Sequence, residues 1–235
     1  MMNRPLVAVL LAASIAHSAG AQPSCNSDGQ PTPSALVERF LSADCESCWS
    51  AQRVVKTDPH AVTLDWIVPS SQGDDAPLSA AASRDALQRL ESLGLAAPAA
   101  SAARTTEALG QSGYQLRVAQ GPSIGGYIGA IIELRTSVTV RHEAPLRAWL
   151  LLVETVAAGS EGTPVERNLV RNMLVATWRE SDQRAVGGQS VFSELRPMNI
   201  PQGAWPERLR VVGWVEDGFG RLLSAARSVC STSIE

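Results

Sequence analysis

The chain has 235 residues, 20 Lys and Arg against 23 Asp and Glu, and a formal charge of −3 spread along its length. No basic patch marks a nucleic-acid surface, which sets that class of partner aside. Length and composition suit one large domain or two small ones.

Arg4, the apolar stretch from Leu6 to Ala16 and the small-x-small triplet Ala19-Gly20-Ala21 have the order of an export leader. Residues 1–21 are therefore expected to be removed after Ala21, leaving a chain destined for the periplasm or the medium. No later run reaches the roughly 18–20 apolar residues a bilayer crossing needs, so no membrane span is expected.

Residues 22–34 are Pro, Ser, Gly, Gln and Asn around Cys25, and read as an extended arm. The apolar run Ala35–Leu41 predicts a strand. Cys45-Glu46-Ser47-Cys48 follows it and opens a helix expected over Cys45–Val55, with Pro59 ending the connection. Ala61–Val68 is rich in β-branched residues and predicts a second strand, parallel to the first across the helix. Helical spacing of Ala86, Leu87, Leu90 and Leu93 predicts a helix over Ser79–Leu93, capped by Gly94. A short helix is expected over Thr105–Leu109.

Beyond Tyr114 the character changes. Leu116–Val118, Tyr127–Leu134, Leu146–Val156, Leu209–Val215 and Leu222–Ala226 predict strands, and Asn168–Trp178 fits either a helix or another strand. The expected architecture is thus an α/β thioredoxin-like region over 35–113 and a β-rich, sandwich-like region over 114–235.

A strand that ends in Cys-x-x-Cys and turns into a helix is the local plan of a redox site. Cysteines three apart at a helix start lie close enough to bond, and nearby backbone N–H groups lower the first thiol's pKa. Cys45 is then the attacking thiolate and Cys48 the resolving thiol. A static bridge that never turns over is the alternative. Cys25 and Cys230 stand near opposite ends of the chain. Pairing them, with Cys45–Cys48 as the other bridge, is one of the three connectivities four cysteines allow. That second pair reads as structural.

Other residues are weighed beside the pair. Asp65, in the second predicted strand, is a candidate proton relay for the resolving thiol. Asp44 and Glu46 read as solvated acids of the first turn, and Trp49 as packing. His60 and His142 sit in turns, too few and too scattered for a zinc site. No cofactor is expected, because the cysteine pair itself carries two electrons. The expected partners are protein thiols or disulfides in the periplasm.

The segment Val37-Glu38-Arg39-Phe40-Leu41-Ser42-Ala43-Asp44-Cys45-Glu46-Ser47-Cys48 resembles a family of exported bacterial proteins called domain of unknown function 1223. The later Gly162-Thr163-Pro164-Val165-Glu166-Arg167-Asn168-Leu169-Val170-Arg171 is similar to that family's second landmark. The resemblance implies a thioredoxin-like fold, and with it a proline set against the cysteine pair, for which Pro98 and Pro122 are the candidates. Two functions follow as expectations: a thiol–disulfide oxidoreductase, or a non-catalytic binding or scaffold protein with a structural Cys45–Cys48 bridge.

Overall fold

The structure, a computed structural model, describes residues 25–52, 58, 60–110, 113–137 and 145–230. The expected leader at 1–21, residues 53–57 where the first helix is expected to continue, and His142 lie outside them.

The arm is not wholly irregular. Cys25–Asn26 forms a short strand, β1, before the apolar run forms β2 (Ala35–Ser42). The Cys-x-x-Cys turn opens a single helical turn, α1 (Glu46–Trp49), and Ala61–Val68 forms β3. Helix α2 (Arg84–Ser92) starts where Ser83 accepts a hydrogen bond from the Asp85 N–H, and the chain leaves it through Gly94 at φ +66°. Strands follow in series: β4 (Ser101–Glu107), β5 (Tyr114–Ile124), β6 (Tyr127–Ser137), β7 (Leu146–Val156) and β8 (Arg167–Trp178). The last five are β9 (Arg184–Val186), β10 (Gln189–Asn199), β11 (Leu209–Glu216), β12 (Leu222–Arg227) and β13 (Val229–Cys230).

These strands make two sheets. A seven-stranded sheet runs β12-β11-β7-β8-β3-β2-β4, and a six-stranded sheet runs β13-β1-β5-β6-β10-β9. The apolar run over residues 148–153 of β7 is explained by its place inside the first, where both faces are covered. Leu146, Ala148, Leu150 and Leu152 pack toward the six-stranded sheet, in a core shared with Val118, Ile128, Ile132 and Phe192. Trp149, Leu151 and Val153 point the other way, into a second core with Leu36, Phe40, Leu64, Trp66 and the α2 residues Ala86 and Leu90.

The expected α/β thioredoxin-like half is overturned. Among the described residues strand dominates on both sides of Tyr114, and helix is confined to the four residues of α1 and the nine of α2, apart from short 3-10 turns. The reason lies in strand pairing. β3 is joined to β8 through Asp65 and Leu169, so the first region's strands continue directly into those of the second. Much of that sheet is then covered by another sheet rather than by helices. The helix expected over Thr105–Leu109 is also corrected, because residues to Glu107 belong to β4, antiparallel to β2 from Ala35↔Glu107 to Leu41↔Ser101. Between the two possible readings of Asn168–Trp178, strand pairing with β7 decides for strand. Among the described residues no helix is long and apolar enough to cross a membrane.

Candidate active site

Alternation along β2 and β3 sorts their side chains onto two faces. Glu38 and Phe40 face α2, whereas Arg39 and Leu41 face α1. Parallel register sets Arg39 beside Asp65 and Leu41 beside Ile67. The Cys-x-x-Cys turn therefore sits over a floor that holds two opposite charges.

Cys45 and Cys48 are joined by a disulfide with S–S 2.03 Å, and both are half-buried. They are not equivalent. Cys48 packs against a small apolar cluster of Leu41, Ala43, Trp49, Ile67, Val156 and Leu169. Sγ of Cys45 lies 3.5 Å from Oγ of the exposed Ser47. Both cysteines open onto a cleft of about 450 Å³, whose other walls include Arg39, Leu41, Arg167, Ala100 and the small residues Ser101, Ala102 and Ala103 that begin edge strand β4.

Beneath the turn lies a buried ionic knot. Asp65 is completely buried; its Oδ2 accepts from Nη2 of Arg39 at 2.6 Å and from the N–H of Asn168 at 2.9 Å. Its Oδ1 accepts from Nη1 of Arg167 at 3.3 Å. Arg167, at the start of β8, also donates from Nη2 to the carbonyls of Cys48 (3.1 Å) and Trp49 (2.7 Å), and from Nε to Oγ1 of Thr163. Burial lowers the pKa of its guanidinium, partly offset by Asp65. The indole of Trp49 lies 5.3 Å from that guanidinium and donates to the carbonyl of Glu161 at 2.7 Å.

The predicted residues thus come together in part. Cys45, Cys48 and Asp65 share one site, but Asp65 touches guanidinium groups and a backbone N–H rather than a sulfur. Asp44 is held by Ser70 Oγ at 2.5 Å, and Glu46 is exposed. His60 is exposed in the turn before β3. Pro98 is half-buried just ahead of β4, whereas Pro122 lines a separate cleft with Cys25 and Cys230. Those two cysteines are bonded and directly opposite each other in the β1–β13 ladder.

Sequence reasoning missed Arg39 and Arg167 as members of the site. Arg39 follows from strand alternation once Asp65 is singled out. Arg167 had one signal, its place in the second family-like segment. Comparisons of the chain with protein-family models, with curated proteins and with solved structures find no match.

Proposed function

We propose that this chain is an exported thiol–disulfide exchange protein, released to the periplasm or medium after cleavage near Ala21, in which Cys45 exchanges and Cys48 resolves. One observation carries the reading: the Cys45–Cys48 bond opens on a cleft, with Cys45 beside the exposed Ser47 and Cys48 against the apolar cluster. A partner thiolate attacks Sγ of Cys45, the Cys45–Cys48 bond breaks, and Cys48 leaves as a thiolate that takes a proton from water. A second partner thiolate attacks the partner's sulfur in the mixed disulfide, releasing Cys45. The partner gains a disulfide and the protein a dithiol, and the reverse sequence reduces a partner disulfide. Asp65 serves here by holding Arg167, which in turn holds the carbonyls of the turn. The two segments that resemble domain of unknown function 1223 meet at that contact, which supports treating them as parts of one site.

A second reading has its own support. The same clamp from Arg167 onto Cys48 and Trp49 suits a bridge built into the frame of a binding or scaffold protein. A redox titration separates the two. Reduction of Cys45–Cys48 within about −120 to −270 mV fits exchange, whereas a value below about −300 mV fits the static bridge. The chemical counterpart is the Cys48→Ala variant, expected to accumulate mixed disulfides through Cys45 in the exporting host. A variant that captures no partner removes the exchange reading.

A further inference from the structure

Among the described residues two arginines and no carboxylate line the cleft beside Cys45, and the rest of its wall is small or apolar, with Leu41, Ala51, Ala102 and Ala103 beside two serines. Asp65 lies beneath it, fully buried, and one carboxylate cannot neutralise two guanidinium groups. Arg167 spends its nitrogens on Asp65, Thr163 and two carbonyls. Arg39 is less occupied: Asp65 takes Nη2, and its side chain keeps 12% exposure on the cleft, against 5% for Arg167. The nearest acids of the turn do not line the cleft, since Glu46 is exposed outward and Asp44 is tied to Ser70.

We propose that the cleft takes a sulfur compound whose reacting atom is flanked by a carboxylate, the anion lodging against Arg39 while the sulfur meets Sγ of Cys45. This rests on the exchange reading and names its substrate class. A guanidinium on a low-dielectric wall attracts a carboxylate more strongly than the same group in open water, and its planar fork matches carboxylate geometry. In the reducing direction, the Cys45 thiolate attacks one sulfur of the substrate disulfide, whose other sulfur leaves as a thiolate and takes a proton from water. Cys48, having lost its proton to water, attacks Sγ of Cys45 and expels the second substrate thiolate. One substrate disulfide becomes two thiols, and the protein dithiol becomes the Cys45–Cys48 bond.

The test uses the full chain with Cys45–Cys48 reduced, and three small disulfides of similar size: dithiodipropionate (dianionic), bis-hydroxyethyl disulfide (neutral) and cystamine (dicationic). Each oxidation rate is divided by the rate of the same disulfide with a free neutral thiol at the same pH, which removes intrinsic reactivity. Dithiodipropionate is expected to run about fivefold ahead of the neutral compound and cystamine behind it. That preference should vanish in Arg39→Gln and return in Arg39→Lys. If Arg39→Gln does not fold, raising the salt on the unaltered chain decides, because screening must erase the preference. Equal normalised rates for the three compounds overturn the anion preference and leave exchange standing. Failure of all three to react overturns the exchange reading itself.

Discussion

Nη2 of Arg167 lies 2.7 Å from the carbonyl oxygen of Trp49, a residue 118 positions earlier in the chain. The end of a one-turn helix normally leaves its carbonyls to water. Here a guanidinium from the start of β8 takes two of them and anchors itself on buried Asp65. The disulfide turn is thereby tied to the middle of the seven-stranded sheet rather than to a long helix of its own.

Removing that tie should loosen the turn and strand a charge. In Arg167→Met, Asp65 keeps Arg39 and the Asn168 N–H but loses its second cation. Breaking buried ion pairs costs about 3–5 kcal/mol, and the surviving partner puts the expected loss near the lower end, about 3 kcal/mol. Urea denaturation measures it. The reduction potential of Cys45–Cys48 should move in the same variant, and an unchanged stability with an unchanged potential would show that the clamp holds nothing.

On the opposite face of the sheet a second arginine has a heavier structural role. Arg89 is buried against two carboxylates: Nε and Nη2 reach Glu38 at 2.8 Å each, and Nη1 reaches Glu216 at 2.9 Å. The indoles of Trp149 and Trp214 donate to Glu216 and stack at 5.5 Å, with the guanidinium 4.5 and 5.0 Å from their centres. Burial alone would lower the arginine's pKa, but the two carboxylates outweigh it and the net direction is upward. Arg89→Met leaves Glu38 and Glu216 without their cation, so it is expected to cost at least about 4 kcal/mol, read as a lowered melting temperature. The triple change that also replaces both glutamates by glutamine should recover most of the loss.

The contrast between these two arginines shows what the sequence made legible. β3 falls on the residues its β-branched run marks, and β7 does so because an apolar stretch of that length needs cover on both faces. β4 was hidden, because its Ser-Ala-Ala-Arg-Thr-Thr-Glu sequence is exposed on both faces and has no alternation to betray a strand. Backbone pairing with β2, not its own side chains, decides its conformation. β10 was hidden by Pro197 and by its charged middle. Two-sheet architecture could not be read locally either, since it depends on the single Asp65–Leu169 bridge that merges distant strands. At the site, two cysteines three apart announce themselves, but an arginine that reaches them from β8 carries no local mark.

Gly213 of β11 packs directly against β5 and β6 of the other sheet. A Cβ built there would lie 2.8 Å from Cγ1 of Val118, 2.9 Å from Cδ1 of Ile132 and 3.1 Å from the carbonyl of Trp149. Val118 and Ile132 are themselves locked in the inter-sheet core, so they have little room to yield. Gly213→Ala is expected to destabilise by about 1–3 kcal/mol through overpacking, despite the β-strand setting in which alanine is usually preferred to glycine. Thermal unfolding measures the loss, and a neutral result would mean that the sheets part more readily than their packing implies.

The Cys25–Cys230 bridge closes a loop of 205 positions. It joins β1 to β13, two-residue strands that could hold little on their own. The chain-entropy account, which is disputed, gives about 5 kcal/mol for a loop of that size, and measured removals cost about 2–5 kcal/mol. The double variant Cys25→Ser and Cys230→Ser should lower the melting temperature accordingly and leave the normalised exchange rate of Cys45 within about twofold, since the two bridges lie in different clefts. A collapse of exchange in that variant, with the fold intact, would show that the termini and the candidate site are coupled.

Asp217 gives the chain an acid-sensitive hairpin between β11 and β12. Burial pushes its carboxyl up, but the N–H of Arg221, the guanidinium of Arg221 and the N–H of Phe219 together outweigh it, so the net direction is down. The contacts are short: 2.9 Å from each N–H to Oδ1 and 2.6 Å from Nε of Arg221 to Oδ2. A carboxylate held below its unfolded value of about 3.9 stabilises fully above that pH and loses its contribution as pH falls through the lower folded value. Asp85 works in the opposite sense, because burial outweighs its hydrogen bonds from Ser83 and the Met173 backbone and holds its carboxyl above the usual range. The useful quantity is therefore the difference between two chains. Stability of the unaltered protein minus that of Asp217→Asn should be flat, at about 1 kcal/mol, from neutrality to about pH 5, and should shrink below about pH 4. A difference that grows on acidification would mean that burial, not the Arg221 contacts, sets the charge of this carboxyl in the fold.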